Sequence, residues 1–106
     1  MIQGEVCWYT FKEPNKKRPV LILTRNDLIP LLNVVSVAEI SSTIRENNAE
    51  VWLEEADGMP QRCAVNLTNI QTVNKTKLGE SITLLSAEKM SELRLAIEFV
   101  FNLRKL

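Results

Sequence analysis

The sequence predicts a mainly β domain of the α+β class, a small, partly open antiparallel barrel with one C-terminal helix. The first observation is a succession of about five to seven short, β-favouring segments, separated by turns that contain Pro, Asn or Gly. The second is a single long helical pattern, which begins after Ser86. The third is a length of 106 residues, of which 45% are apolar. We therefore expect residues 1–106 to form a single domain with one hydrophobic core.

The first half of the chain predicts strands at residues 3–11, 20–24 and 33–39. The run 20–24 is short and almost wholly apolar, which is typical of a strand buried on both faces. Pro19 stands before this run and fits best as the first residue of the strand, because proline has no N–H to donate to a sheet. A polar loop at 12–17 is expected to join the first two strands as an antiparallel pair.

The second half predicts further strands and the helix. Residues 49–53 alternate between apolar and polar side chains, which predicts a half-exposed strand. Three shorter strands are expected at 62–66, 70–73 and 79–85. Ser86 then offers a hydroxyl to the free N–H groups of a helix that continues to about residue 103.

The helix pattern contains two apolar stripes rather than one. The first has helical spacing and is expected to cover the barrel: Met90, Leu93, Ala96, Ile97 and Val100. The second lies on roughly the opposite side: Leu95, Phe99, Leu103 and Leu106. No other long helix exists in the sequence to bury the second stripe. We therefore predict that the Leu95/Phe99 side forms a homodimer interface.

Charge and composition exclude several classes of function. The 13 basic and 13 acidic side chains give a formal net charge of zero, which argues against nucleic-acid binding by bulk charge but leaves room for a local basic patch. The chain contains no histidine. That absence excludes Ser-His-Asp and Cys-His catalysis, paired-histidine ribonuclease chemistry and most zinc hydrolases. We expect neither a metal nor a cofactor.

The two cysteines and the apolar segments indicate a cellular location. Cys7 and Cys63 stand in strand-like, apolar surroundings, and we expect them to be buried, reduced thiols. The N-terminal residues do not resemble a signal peptide, and no apolar run approaches the length of a membrane span. These features predict a cytoplasmic protein without membrane contact.

Two polar segments are candidates for a functional site. Arg18 precedes the buried strand, where a rigid backbone could hold its guanidinium ready for a phosphate. Ser41, Ser42 and Thr43 form an unusual run of three hydroxyls, with Arg45 shortly after. On local sequence alone, a solvated strand end explains Arg18 and a polar strand end explains the hydroxyls.

The order of the motifs resembles the MazF/PemK family, the toxin half of bacterial toxin–antitoxin pairs. The similarity covers nearly the whole chain and depends on order and spacing, because no single motif is specific. The similar segments are Gly4-Glu5-Val6-Cys7-Trp8, Arg18-Pro19-Val20-Leu21-Ile22-Leu23 with the turn Asn26-Asp27, Val37-Ala38-Glu39-Ile40-Ser41-Ser42-Thr43-Ile44-Arg45, Gly58-Met59-Pro60-Gln61-Arg62-Cys63-Ala64-Val65-Asn66-Leu67 and Thr72-Val73 with Lys75, Lys77, Leu78 and Gly79.

This resemblance implies an SH3-like barrel, a homodimer, and metal-free cleavage of single-stranded RNA by attack of its own 2′-hydroxyl. It also implies neutralisation by a small cognate antitoxin protein. The family's catalytic pair falls on Arg18 and Ser41. Arg18 would stabilise the charge on the phosphate, either as an electrostatic clamp or also as an acid, and Ser41 would add a hydrogen bond.

Further RNA contacts are expected around this pair. Ser42 and Thr43 are predicted neighbours of the RNA, and Lys16 and Lys17 are predicted loop charges that attract it. The remaining candidates are Arg25, Arg45, Asn66 and Thr68. Trp8, in contrast, is expected in the core, and Trp52 in an interface or groove wall.

Some positions depart from the family pattern. The loop at 12–17 is shorter than usual and lacks a glycine-rich stretch. Thr68 and Asn69 stand where many members have an acidic residue and Gln, and Gln71 stands where they have Arg. Because the acidic residue is missing, one alternative function is a catalytically inactive barrel that acts by binding or as a repressor partner. A second alternative is a gyrase poison of the same shape, which would not need the Arg18 and Ser41 pair.

Overall fold

The computed structural model describes residues 1–12 and 16–103. Six strands are followed by one helix. Their bounds are β1 Glu5–Phe11, β2 Lys16–Ile22, β3 Val34–Ser41, β4 Glu50–Leu53, β5 Cys63–Asn74, β6 Leu78–Leu84 and α1 Ala87–Phe101. The strands form one antiparallel six-stranded sheet in the order β4-β5-β3-β2-β1-β6. No helix among these residues is long and apolar enough to cross a membrane.

The curled sheet has a hydrophobic cluster on each side, and β2 contributes to both. Leu21 belongs to the larger cluster, which α1 covers with Leu93 and Ala96. Val20 and Ile22 belong to a second cluster on the opposite face. All three β2 side chains are fully buried, which confirms the prediction of a strand buried on both faces.

The position of Pro19 differs from the prediction. Strand β2 begins at Lys16, so Pro19 is its fourth residue, and Lys16 and Lys17 belong to the strand rather than to a loop. The strand ends at Ile22, two residues before the predicted end. Pro19 pairs with Trp8 of β1, whereas the pairing of β2 with β3 begins only at Val20. The sheet therefore has one partner strand at Pro19, and a residue without an N–H is tolerated there.

The two strands expected at 62–66 and 70–73 are in fact one strand, β5. Its pairing with β3 shifts by three residues between Ala38 and Glu39, whose partners are Ile70 and Asn66. Residues 67–69 form the resulting bulge, a feature that bends a strand without ending it. The polar residues that suggested a break therefore lie inside a continuous strand.

Other boundaries move by a few residues. β1 begins at Glu5 because Gly4 turns the chain with φ +87°. β3 continues to Ser41, so Ser41 is a strand residue. α1 ends at Phe101 because Asn102 adopts the left-handed conformation with φ 41°. The predicted continuation to residue 103 is therefore wrong, and Leu106 lies outside the described residues.

The helix otherwise follows its predicted pattern. Ser86 Oγ accepts a hydrogen bond from the Lys89 N–H and so caps the helix. The first stripe faces the larger cluster, where Leu93 and Ala96 are buried. The second stripe points away: Leu95 is 66% exposed and Phe99 is 58% exposed.

Candidate active site

Arg18 and Ser41 lie together in the structure and line two adjoining clefts. The first cleft has a volume of about 330 Å³ and the second about 230 Å³. The first cleft also reaches Met59 and Cys63 of the larger hydrophobic cluster, so it lies over an edge of the core. Besides Arg18 and Ser41, the second cleft is lined by Glu39, Thr43, Arg45, Glu50, Asn66 and Asn69.

The register of the sheet explains why the pair meets. Val20 of β2 is the partner of Glu39 on β3, and the strands are antiparallel. Two residues further along, the same register places Arg18 opposite Ser41. Because side chains alternate across a strand, Arg18 and Ser41 point to the same face as Val20 and Glu39. The polar site therefore continues directly from a packed, rigid part of the sheet.

Arg18 belongs to a network of four polar side chains. Its Nη1 lies 3.5 Å from Glu39 Oε1. Glu39 Oε2 accepts hydrogen bonds from Asn69 Nδ2 at 2.6 Å and from Gln71 Nε2 at 3.3 Å. Gln71 Nε2 also donates to Asn69 Oδ1 at 3.2 Å. The amides on β5 therefore hold the Glu39 carboxylate in place, and the carboxylate contacts the Arg18 guanidinium on β2.

The hydroxyl run begins at the end of β3. Ser41 Oγ accepts a hydrogen bond from the Thr43 N–H at 3.0 Å, which turns the chain immediately after the strand. Ser42 and Thr43 are exposed, and both line the first cleft. The turn therefore places all three hydroxyl residues beside Arg18.

The segment that follows is fixed by Glu50. Both carboxylate oxygens of Glu50 lie 3.0 Å from the Arg45 backbone N–H, which donates to them. Asn66 lies between Glu39 and Glu50 across the sheet, as the partner of both residues. The second cleft thus combines two arginines with two carboxylates, in keeping with the zero net charge of the chain.

The first cleft has an aromatic and basic wall on one side. Trp8 is half-buried and lines the cleft, so the prediction of a core residue is wrong. The Lys17 ammonium lies 5.4 Å from the centre of the Trp8 ring, a cation–π arrangement. This placement follows from the pairing of Trp8 with Pro19, next to Arg18.

Another part of the first cleft comes from the segment after a short 3₁₀ turn at Glu55–Asp57. Gly58 has φ +92°, and an added Cβ would clash with Thr83 Oγ1. Glycine is therefore required at this turn. Met59, Pro60 and Gln61 follow it and line the first cleft.

Three of the predicted RNA contacts lie outside both clefts. Lys16 is exposed at the start of β2 and does not line either cleft, although its neighbour Lys17 lines the first. Arg25 stands in the turn after β2 and pairs with Asp27 at 2.6 Å. Thr68 lies in the β5 bulge, where its N–H and hydroxyl both donate to Asn66 Oδ1. Thr68 therefore orients Asn66, which does line the second cleft.

Both cysteines are buried and reduced, as predicted. Burial is the main reason that the pKa of the Cys7 thiol is raised to about 11, with a smaller contribution from the nearby Glu5 carboxylate. Burial also raises the pKa of the Cys63 thiol. Neither thiol has the thiolate character that a nucleophile requires. Cys63 borders the first cleft as part of its apolar floor.

Glu39 is not among the residues predicted for the site, although β3 alternation could have found it. It precedes Ser41 by two residues, so the two side chains share a face of the strand. Asn69 and Gln71 stand out in the sequence only as departures from the family pattern. Their contact with Glu39 depends on the bulge in β5, which the sequence did not predict.

The comparison with known proteins agrees with this geometry. Residues 2–101 match the family described as PemK-like, MazF-like toxin of type II toxin-antitoxin system. An endoribonuclease named MazF3 from Mycobacterium tuberculosis is 39% identical over 89 residues, which cover 84% of this chain and 86% of the relative. This chain belongs to the MazF/PemK toxin family.

Solved structures confirm the predicted fold. The Mycobacterium tuberculosis toxin MazF-mt6 superposes with a TM-score of 0.86 at 35% identity, covering 95% of this chain and 99% of that one. A mycobacterial endoribonuclease in complex with its cognate antitoxin gives a TM-score of 0.87 at 21% identity, covering 100% and 99%. The second likeness concerns the fold alone. The family resemblance and the small antiparallel barrel predicted from sequence are thus both confirmed.

Proposed function

We propose that this chain is an endoribonuclease toxin that cleaves single-stranded RNA without a metal ion. The observation that carries the proposal is the convergence of Arg18 and Ser41 at two adjoining clefts. The relative MazF3 is named an endoribonuclease, and this chain matches it over most of its length. Residues 1–106 act as a single toxin domain in this proposal.

The chemistry needs few groups because RNA carries its own nucleophile. The 2′-oxygen attacks the adjacent phosphorus, the bond from phosphorus to the 5′-oxygen breaks, and a 2′,3′-cyclic phosphate and a 5′-hydroxyl result. Arg18 supplies planar N–H donors for the phosphate oxygens, where negative charge develops. Ser41 adds a further hydrogen bond. A preorganised donor of this type contributes about 10²–10³ in rate.

The remaining cleft residues bind the RNA on either side of the cut. Lys17 and Trp8 offer a cation and an aromatic face, which suit phosphate binding and base stacking respectively. Ser42, Thr43, Arg45 and Asn66 contact neighbouring nucleotides. Lys16, Arg25 and Thr68, which lie outside the clefts, act through the electrostatic field or through Asn66 rather than by direct contact.

Partners and location follow from the same proposal. A small cognate antitoxin covers the clefts and blocks RNA, as expected for a protein of this family. The exposed Leu95 and Phe99 join two copies of the chain into a homodimer. The toxin acts in the cytoplasm, where messenger RNA is its substrate.

The test incubates purified protein with a mixed-sequence single-stranded RNA in EDTA and maps the product ends. We expect cyclic-phosphate and 5′-hydroxyl ends at a short sequence motif. Arg18→Ala should reduce cleavage by at least about 10²-fold. Lys16→Ala is the matched control, since it removes a neighbouring β2 cation outside both clefts and should change the rate only slightly.

Intact RNA at a large excess of wild-type protein would refute the proposal. It would favour a barrel that acts by binding, and that alternative predicts equal RNA integrity with wild-type and Arg18→Ala protein. Cleavage that occurs without EDTA but disappears in EDTA would refute the metal-free mechanism. The chain would then still be an endoribonuclease, but one that depends on a metal ion.

A further inference from the structure

We infer that Glu39 is the general base of the reaction and accepts the proton of the attacking 2′-hydroxyl. This inference rests on the endoribonuclease function proposed above and adds the group that moves the proton. The 2′-hydroxyl must lose its proton as it attacks, and the chain has no histidine to receive it. A carboxylate is the next most common group for this task.

Glu39 lies at the required place. It shares a face of β3 with Ser41, lines the second cleft and stands 3.5 Å from Arg18 Nη1. Its side chain is 19% exposed, so it is accessible from the cleft, while the Asn69 and Gln71 amides hold it in place. A phosphate bound by Arg18 would bring its ribose within reach of the Glu39 carboxylate.

The two carboxylate oxygens of Glu39 have different partners, so one can be fixed while the other accepts a proton. Oε2 accepts from Asn69 and Gln71, which fixes the plane of the carboxylate. Oε1 is left on the Arg18 side. Since both amides donate to Glu39, their hydrogen bonds suit an ionised carboxylate, which is the form that can accept a proton.

Glu50, the other carboxylate in the cleft, is engaged differently. Both of its oxygens accept the Arg45 backbone N–H. A carboxylate bound in this way secures the chain after β3 and is separated from Glu39 by Asn66. The geometry therefore selects Glu39 rather than Glu50 as the proton acceptor.

The proton balance of the step needs only water besides the RNA and Glu39. The 2′-O–H bond breaks as the bond from the 2′-oxygen to phosphorus forms, and Glu39 Oε1 receives the proton. The bond from phosphorus to the 5′-oxygen breaks, the 5′-oxygen takes a proton from water, and the hydroxide that remains takes the proton from Glu39. Glu39 then returns to its ionised form, and Arg18 remains charged throughout.

The charged groups that line the second cleft with Glu39 come from three other segments of the chain. Arg18 lies on β2, Glu50 on β4, and Arg45 in the segment between β3 and β4. Asn69 and Gln71, on β5, are neutral at every pH of the assay. Arginine keeps its charge over the same range. Among the groups of this cleft, only the carboxylates of Glu39 and Glu50 could cause a decline of the rate in acid. Substitution of Glu39 tells which of the two is responsible.

The first experiment measures the single-turnover cleavage rate of wild type and Glu39→Gln between pH 4.5 and pH 8, in the same RNA assay. For wild type we expect the rate to fall toward the acidic end of this range. Glu39→Gln should be about 10²-fold slower or more, and its rate should no longer fall in acid. Glu80→Gln removes an exposed carboxylate on β6 as the matched control and should behave as wild type.

The second experiment tests whether a free carboxylate can replace the side chain. Formate should restore cleavage to Glu39→Ala in proportion to its concentration, whereas neutral formamide should not. Circular dichroism and thermal melting check that each variant is folded. This rescue does not depend on how well the amide of the Glu39→Gln variant preserves the hydrogen-bond network.

Three outcomes would overturn the inference. The first is cleavage by Glu39→Gln within threefold of wild type, the second is an acidic fall in rate that Glu39→Gln retains, and the third is failure of formate to rescue folded Glu39→Ala. In the last two cases Glu39 only positions Arg18. Wild-type protein and Arg18→Ala are measured in the same series. An inactive wild type refutes the proposed function itself, whereas an active wild type with an unaffected Glu39→Gln refutes this inference alone.

Discussion

At the scale of single residues, Arg18 shows how a charged side chain is prepared for a phosphate. Its side chain is 40% exposed and contacts Glu39 through one nitrogen. Five N–H donors are present in a guanidinium, so most remain available for substrate. An exposed ion pair of this kind contributes at most about 1 kcal/mol to stability. We therefore regard the Arg18–Glu39 pair as a device for orientation rather than for folding.

Ser41 gives the first prediction. Ser41→Ala removes the hydroxyl beside Arg18 and should lower the single-turnover cleavage rate by about 10²-fold, because a donor to the developing phosphate charge is lost. Ser41→Thr keeps a hydroxyl at the same position and should recover most of the rate. Equal rates for the Ala and Thr variants would contradict a role for the hydroxyl.

The sequence anticipated part of this site and missed another part. Arg18 and Ser41 could be proposed because they stand in motifs that the family shares. Glu39 could have been found from strand alternation, since it shares a face with Ser41. The partners of Glu39 could not, because Asn69 and Gln71 reach it only through the β5 bulge. Whether these residues act on RNA remains a prediction.

At the scale of elements, the bulge in β5 shapes the site. It shifts the pairing partner of β3 from Ile70 to Asn66 within one step of the strand. Local polar residues suggested two separate strands, whereas pairing with β3 on one side and β4 on the other keeps β5 continuous. Tertiary pairing therefore overrode local propensity, which is common in sheets.

The helix gives the second prediction. Ser86→Ala removes the cap of α1 and should lower the free energy of unfolding by about 1 kcal/mol, measured by denaturant titration. Ser86→Asn retains a side-chain oxygen that can accept from Lys89 and should remain close to wild type. The idea of a stabilising cap would be wrong if both variants unfolded at the same denaturant concentration as wild type.

At the scale of the whole molecule, one side of α1 is apolar although it remains exposed in a single copy of the chain. Leu95 and Phe99 are more than half exposed, whereas Leu93 and Ala96 on the other side are buried. Exposed apolar side chains that follow one another along a helix mark interaction surfaces more often than isolated ones do. Both stripes were predictable from helical spacing, but the sequence does not show whether a second copy covers the outer one.

The third prediction concerns this surface. Leu95→Asp combined with Phe99→Asp should convert a dimer into a monomer at micromolar concentration, measured by light scattering, because two charges would be buried in the contact. Leu31→Asp is the matched control, since Leu31 is 76% exposed and lies in the short turn between β2 and β3. A wild-type protein that is already monomeric would contradict the proposed interface.

The central claim is that Arg18 and Ser41 bind the scissile phosphate of the RNA while its own 2′-hydroxyl attacks as the nucleophile. The most direct test places one 2′-deoxynucleotide on the 5′ side of the mapped cleavage site in an otherwise unchanged RNA, in EDTA. We predict that cleavage at that site stops, while the all-ribose RNA is cut and ends in a cyclic phosphate. Cleavage of the deoxy-substituted RNA at the same bond would contradict the account, because it would require a nucleophile other than the RNA itself.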